Sequence, residues 1–238
     1  MKLGLIADAH GNPSALIRCL KALERLEADR IYFLGDAVGY LPGENEVLDI
    51  LRIAPVLCQE GNHEAMLTGK IPLLEEKEQV YGIHLARERI SRLNSAFLQS
   101  WPEFREICVD DRKIFMVHGS LDDHLQGYIY SERDFSFDNK LSYDAIFMGH
   151  THLPFIFDYK GTQVVNVGSC GLPRDQGNLS SFAIYDTNAH RTEIFRLPFD
   201  SRKVIESFQQ LFVSQEVIDC LNRRSPNPLG SLFNEGIL

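Results

Sequence analysis

No stretch of this 238-residue chain approaches the roughly 20 consecutive apolar residues that a membrane-spanning helix needs, so no segment reads as crossing a bilayer. The opening run, MKLGLIADAHGN, reaches Asp8 and His10 at once and carries no small-residue cleavage pattern, which argues against a secretory leader. Cysteine is scarce and unpaired in pattern. Cys19, Cys58, Cys108, Cys170 and Cys220 are odd in number and never form a C-x-x-C pair, which argues against a disulfide framework and against a thiolate zinc site. They read as core residues or free thiols. A surplus of positive charge is also missing. A net charge of -9 and a pI near 5.4 disfavour an extended nucleic-acid surface, so an anionic ligand would need a cation supplied locally. Internal repeats, low-complexity tracts and interdomain linkers are absent too. What remains is the composition of an ordinary globular protein, 44% hydrophobic and 24% charged, with a cytoplasmic location and no membrane partner as the expectation.

The first half alternates strands with helices. KLGLIAD (2–8) reads as a buried strand, after which Asn12 caps a helix that begins at Pro13 and turns Leu16, Leu20, Leu23 and Leu26 to one face. The pattern recurs with IYFLGD (31–36) before a helix over 44–53, and with PVLCQEG (55–61) before a helical region over roughly 74–100. The second half is rich in strands, at 105–110, 113–119, 143–150, 155–160, 162–168, 180–186 and 192–197. Turn chemistry at Asp110-Asp111, Lys160-Gly161 and Thr187-Asn188 predicts hairpins. A helical stretch over about 201–223 ends in RRSPNPLG, beyond which a loosely held tail is expected.

Polar residues fall at one recurring place. Five apolar strands end in side chains suited to metal ligation, at the carboxyl end where open α/β sheets place ligands: Asp8 and His10, Asp36, Asn62 and His63, His118, and His150 and His152. In an extended chain His150 and His152 would point the same way, with Thr151 opposed. Each residue alone has a plainer role. Asp36 could cap a turn, Asn62 could brace its loop, and His118 could be a hydrogen-bonded core histidine. Burying all of them together without an ion would leave unpaired charge, and a metal removes that cost. A mixed oxygen and imidazole set of this size fits two divalent cations, with manganese, iron, zinc, nickel or cobalt favoured over calcium.

These motifs, D8-A9-H10, G35-D36, G61-N62-H63-E64, V117-H118-G119 and G149-H150-T151-H152, run in the order D-x-H, G-D, G-N-H-[DE], H and G-H-x-H. In that order the chain resembles the calcineurin-like metallophosphoesterase superfamily. LIADAHGNPSAL, GDAVGYLPGENEV, VHGSLDD, NVGSCGLPRD and FAIYD look like its small phosphodiesterases of the YfcE type, up to about residue 186. The resemblance implies an α/β (α+β) fold, a four-layer β-sandwich of two mixed sheets flanked by α-helices. It implies a metallophosphoesterase domain over 1–200, while 201–238, outside the resemblance, read as a C-terminal helical extension and tail packed on or trailing the same domain. It further implies Asp8, His10 and His152 on a first metal, Asn62, His118 and His150 on a second, and Asp36 bridging both, with manganese the first choice of metal and magnesium also admitted.

Two such ions can acidify a shared water and clamp a phosphoryl group for in-line attack by hydroxide, without a covalent intermediate. Asp36 and Asn62 count among the catalytic residues on this view. His63 matches the family histidine that is not a ligand and is assigned to protonating the leaving oxygen or stabilising the transition-state charge, with a hydrogen bond to a metal ligand as its plainer role, and Asn62 and His63 also contact substrate on this view. Arg174, in GLPRD, is a candidate phosphate contact directed by Asp175, with a surface ion pair as its plainer role. The serine/threonine phosphatases of the superfamily read G-D-x-V-D-R-G where this chain has Gly39 and Tyr40 in place of the aspartate and arginine. Hydrolysis of a small or nucleotide phosphodiester is therefore placed ahead of monoester or protein dephosphorylation. Two roles without hydrolysis stand behind these. One is a protein-binding scaffold like the retromer subunit of this fold, in which the position matching His63 is not histidine, and the other is a nucleotide sensor with negligible turnover. Substrate specificity is expected in the loops around 64–80, 120–142 and 169–180.

Overall fold

The computed structural model of the protein describes residues 1–136, 142–208, 211 and 213–233. In its first third, β1 (Lys2–Ile6), α1 (Pro13–Arg25), β2 (Arg30–Phe33), α2 (Glu44–Ile53) and β3 (Val56–Cys58) alternate, and the three strands lie parallel. The start of α1 follows from its sequence. Pro13 occupies the first turn, where its missing N–H costs nothing, and the Asn12 side chain accepts a hydrogen bond from Ala15 N at 3.2 Å. Leu16, Cys19 and Leu23 then face β1 and β2 through Ile6 and Phe33 in one apolar cluster.

The helical region expected over 74–100 is interrupted. After α3 (Asn62–Thr68) come α4 (Glu75–Tyr81), α5 (Ile83–Arg89) and α6 (Arg92–Gln99). Gly82, with φ at 63°, ends α4 in the left-handed conformation that glycine adopts without steric cost, and the Ser91 hydroxyl starts α6 by accepting from Asn94 N.

The strand-rich half supplies β4 (Phe104–Val109), β5 (Arg112–Val117), β6 (Ala145–Met148), β7 (Phe155–Tyr159), β8 (Thr162–Asn166), β9 (Leu179–Asp186) and β10 (Arg191–Pro198). The hairpin turns expected at 110–111, 160–161 and 187–188 all join antiparallel neighbours. The C-terminal segment then adds α7 (Ser201–Ser207), α8 (Gln215–Asn222) and β11 (Ser231–Leu232). Two mixed sheets result, one in the order β11-β10-β9-β1-β2-β3 and the other β4-β5-β6-β8-β7. Leu3, Leu5, Tyr32 and Leu34 from the first meet Ile114, Met116, Phe147 and Val165 from the second in the intersheet core. Helices cover the outer face of the first sheet. The outer face of the second is covered through Ile129 and Phe135, from a segment that contains a short 3-10 turn at Glu132–Asp134. The architecture is the expected one, two mixed sheets flanked by helices. The four cysteines other than Cys108 are buried, and all five are free thiols.

The end of the chain departs from expectation twice. Instead of one helix over 201–223 there are two, capped by Asp200 and Ser214, and they pack through Val204, Val217 and Leu221 onto Leu41 and Leu172. Directly after RRSPNPLG, the described residues 231–233 are held in place. Ser231–Leu232 pairs in parallel with β10, and Phe233 N donates to Arg196 O at 2.8 Å. Residues 234–238 lie outside the described residues. Arg196 explains the attachment: its side chain is 1% exposed, pairs with both oxygens of Asp175 at 2.5 and 2.9 Å, and donates to Leu179 O and Leu229 O. Asp175 thus serves Arg196, not Arg174 as its sequence position suggested.

Removing one partner of a buried ion pair costs about 3–5 kcal/mol, because the other charge is left uncompensated. Asp175→Ala is expected to lower unfolding stability by about 3 kcal/mol in urea titrations and to release amide protection at Ser231–Phe233; unchanged protection there would refute the Arg196 anchor.

Candidate metal centre

The carboxyl ends of β1, β2, β5 and β6 and the first turn of α3 converge on one buried cluster. Asp8, His10, Asp36, Asn62, His63, His118, His150 and His152 are all 6% exposed or less. The chain turns sharply to present them. Asp8, His10, Asp36, Tyr40, His150 and His152 all have positive φ, between 45° and 68°, although none is glycine. Each such residue costs about 1–2 kcal/mol relative to ordinary backbone, a strain concentrated where the polar groups gather.

This corrects the extended reading of His150 and His152. β6 ends at Met148, and both histidines sit in left-handed turns beyond it. They diverge. His152 joins Asp8 and His10, and His150 joins Asp36 and His118, in groups whose ligand atoms lie within 4.8 Å of one another. A third group, His10, Asp36 and His63, connects the two. Asp36 Oδ2 is 3.6 Å from His10 Nε2, 3.3 Å from His118 Nε2 and 3.9 Å from His63 Nε2. Asn62 Oδ1 approaches His118 Nε2 at 3.0 Å.

The imidazole hydrogen bonds test whether a cation fits. His10 Nδ1 lies 3.0 Å from Val38 O, His118 Nδ1 2.8 Å from Leu34 O, and His152 Nδ1 2.7 Å from Leu172 O. A carbonyl only accepts, so each Nδ1 carries hydrogen and, in the neutral ring, each Nε2 presents a lone pair to the cluster. His10 Nε2 and His152 Nε2 then face each other at 2.9 Å, an arrangement of two acceptors that a shared cation would satisfy. His150 Nε2 is buried with no hydrogen-bond partner. The donor set fits divalent cations.

Charge in the protein alone leads to the same conclusion. Burial raises the Asp8 carboxyl well above the ordinary range. Burial would also raise Asp36, but His118 and His63 outweigh it and hold that carboxyl low. Burial lowers His118, yet the Asp36 carboxylate beside it pushes the ring up to about 9. Burial, and His118 as a nearby positive charge, take His150 down to about 3. Protonated His118 and, from the edge of the cluster, Arg174 answer the carboxylates only in part, and metal ions would supply the rest.

His63 packs against two tyrosines that also touch each other, their ring centroids 5.0 Å apart. Its ring stacks on Tyr40 at 4.9 Å between centroids and meets Tyr81 at 4.6 Å, while burial brings its pKa down to about 4. Gly39 makes this packing possible: with φ at 82°, a Cβ there would stand 2.2 Å from His63 Nδ1. Tyr40 also accounts for Arg174, whose Nη2 donates to Tyr40 Oη at 2.9 Å. The guanidinium is thereby held at the edge of the cluster, where both Asp8 and Tyr40 act on it electrostatically.

Sequence reasoning missed Glu64. Its carboxylate accepts from Asp36 N, Ala37 N, Val38 N and Gly61 N at 2.8–3.2 Å, tying the G-D loop to α3. Burial and Asp36 push the carboxyl up to about 7 against these donors. The available signal was the acidic residue that closes G-N-H-[DE].

Residues 1–190 match the calcineurin-like phosphoesterase superfamily domain, and the chain belongs to that superfamily. The uncharacterized protein MJ0912 of Methanocaldococcus jannaschii is 30% identical over 221 residues, which cover 86% of this chain and 90% of that protein. Among solved structures, protein PH1004 from Pyrococcus horikoshii shares the fold with a TM-score of 0.78 at 18% identity, covering 92% of this chain and 97% of its own. A metallophosphoesterase from Sphaerobacter thermophilus shares it at 0.72 and 24%, covering 93% and 98%. The expected likeness to YfcE extends to the fold: the E. coli phosphoesterase of that name has a TM-score of 0.50 at 21% identity, covering 79% and 89%.

Glu64→Gln keeps the shape but turns an NH2 group toward backbone donors. Losing charge-assisted bonds and leaving buried N–H groups unpaired should cost about 2–3 kcal/mol in denaturant unfolding; a stability loss under about 0.5 kcal/mol would remove Glu64 from this role.

Proposed function

We propose that this protein hydrolyses phosphodiester bonds of small or nucleotide substrates with two divalent metal ions. Asp8, His10 and His152 would hold one, Asn62, His118 and His150 would hold the other, and Asp36 would serve both. The observation that carries the reading is the pair of facing lone pairs on His10 and His152, 2.9 Å apart, beside an Asp36 carboxylate ringed by three imidazoles. When bound, the ions supply an acidified water and neutralise phosphoryl charge for in-line displacement.

The residues of the chain do the remainder. His63 offers an N–H to the leaving oxygen, a role a neutral buried imidazole fulfils as a donor to developing charge. The Asn62 amide and Arg174 bind nonbridging oxygens, with Tyr40 restricting the guanidinium. Preference for a diester is supported by position 40. A monoester carries about 1.5–2 negative charges at pH 7, against one on a diester, and tyrosine in place of arginine removes one of the cations that would answer the excess. The ions are manganese in first place, with iron, zinc, nickel, cobalt or magnesium able to replace it. A small phosphoester as partner and a cytoplasmic setting accompany this reading; no helix among the described residues is long and apolar enough to cross a membrane.

Purified protein with added manganese should hydrolyse bis-p-nitrophenyl phosphate and stop when a chelator is added. Inactivity across a panel of divalent metals and of mono- and diesters would sink the reading in favour of a scaffold. Asp36→Asn should lower metal stoichiometry at both sites, measured by elemental analysis. His63→Ala should keep its metal while turnover falls about 10²-fold or more. Loss of metal in that variant would instead make His63 a ligand, as its grouping with His10 and Asp36 allows.

A further inference from the structure

Beside the cluster opens a cleft of about 340 Å³, within the roughly 300–1,000 Å³ of small-ligand sites. Tyr40 and Arg174 line it next to the metal-binding side chains. Tyr81 lines it on the His63 side, and Tyr128 on the His150 side, with ring centroids 4.6 and 4.1 Å from those histidines. Lys77 and Val80 of α4 and Leu172 add to the lining, and the last wall is α8, through Glu216, Val217 and Cys220, with Arg223 directly after its last turn. This wall lies beyond residue 190, where the superfamily match stops. It is firmly attached. Val217 and Leu221 pack on Leu41 and Leu172, Arg223 Nη1 donates to Arg174 O at 2.8 Å, and Gly177 N donates to Arg223 O at 2.9 Å.

Two properties of the lining select a ligand class. The first is charge: Lys77, Arg174 and Arg223 face the cleft against one acid, Glu216, in a chain whose net charge is -9. Positive charge is concentrated here against the overall balance, which suits a phosphorylated ligand. The second is aromatic surface. Tyr128 is 48% exposed despite its position against His150, and it is backed from outside the cleft by Tyr130, which stacks on it at 5.8 Å with 13° between the rings. Half-exposed tyrosine faces beside guanidinium groups suit a planar heteroaromatic ring carried on a phosphate.

We propose, resting on the diesterase reading above, that α8 closes a nucleotide subsite. The base lies in the cleft between Tyr81 and Tyr128, Arg223 and Lys77 serve its phosphate and carbonyl oxygens, and Arg174 faces the scissile phosphoryl group. Glu216 accepts from a ribose hydroxyl or an exocyclic amine. The C-terminal segment is then a specificity element and not a trailing extension.

The test is calorimetric binding of adenosine 5′-monophosphate and of ribose 5-phosphate to the full-length, manganese-loaded protein. The parent should bind the nucleotide at least about tenfold more tightly, the increment that one stacked base supplies. Tyr128→Leu should erase most of that preference, and Arg223→Ala should weaken nucleotide binding about tenfold. Arg224→Ala, whose residue does not line the cleft, should leave both affinities unchanged. Equal affinity for the two ligands in the parent, or a preference that survives in Tyr128→Leu, overturns the subsite. Because Arg223 also braces the Arg174 loop, its result counts only with an unaltered melting temperature, and Tyr128 on the surface decides the matter otherwise. Hydrolysis of bis-p-nitrophenyl phosphate by the same preparations separates the two claims. Turnover without a nucleotide preference removes the subsite alone, and a Tyr128-dependent preference without turnover supports the subsite while removing the catalytic reading.

Discussion

Three carbonyl oxygens, those of Leu34, Val38 and Leu172, orient the centre of this protein by accepting from the Nδ1 atoms of His118, His10 and His152. Each contact fixes one imidazole nitrogen on the backbone and so turns the three Nε2 atoms inward. The carbonyls belong to the same loops that carry Asp36 and Arg174, so the ring orientations and the loop conformations depend on each other. The positive φ values at six polar or aromatic residues of the site follow from this. The backbone leaves its ordinary regions because the sheets, the intersheet core and the carbonyl contacts together over-determine the loops.

Around that arrangement, neighbouring residues have adjusted to one another. Gly39 leaves room for His63, Tyr40 packs against both His63 and His10, and the hydroxyl of Tyr40 holds Arg174. A substitution at any of these positions would be transmitted by direct contact. Glu64 works from the opposite side, with one carboxylate collecting four backbone donors that would otherwise be buried and unpaired. The C-terminal segment is bound in by a different device, the buried Arg196 with Asp175, which anchors both the loop after Arg174 and the last strand.

Much of the fold was legible because periodicity and turn chemistry are local. Asn12 and Pro13 announced α1, and the dipeptides at 110–111, 160–161 and 187–188 announced their hairpins. The interruptions in the 74–100 region were less visible, since Gly82 permits a left-handed turn without requiring one. The role of β11 was hidden for another reason. Two residues carry no pattern, and their pairing depends on Arg196, some 35 positions earlier. Asp175 was misread because adjacency to Arg174 in sequence suggested a pair, while the chain turns the two side chains to different partners.

The order of D-x-H, G-D, G-N-H-E, H and G-H-T-H alone determined the superfamily and the set of side chains that would meet, because those residue types at successive strand ends have little other use together. Only the tertiary structure decided how they meet. His150 and His152 divide between two groups through left-handed turns that no alternation rule predicts, and a backbone carbonyl selects the reactive nitrogen of each ring in three of the histidines. It also brought α8 to the rim of the cleft, through apolar packing of Val217 and Leu221 on Leu41 and Leu172. Hydrophobic burial is not directional and spans any distance along the chain, so no local pattern could have shown it.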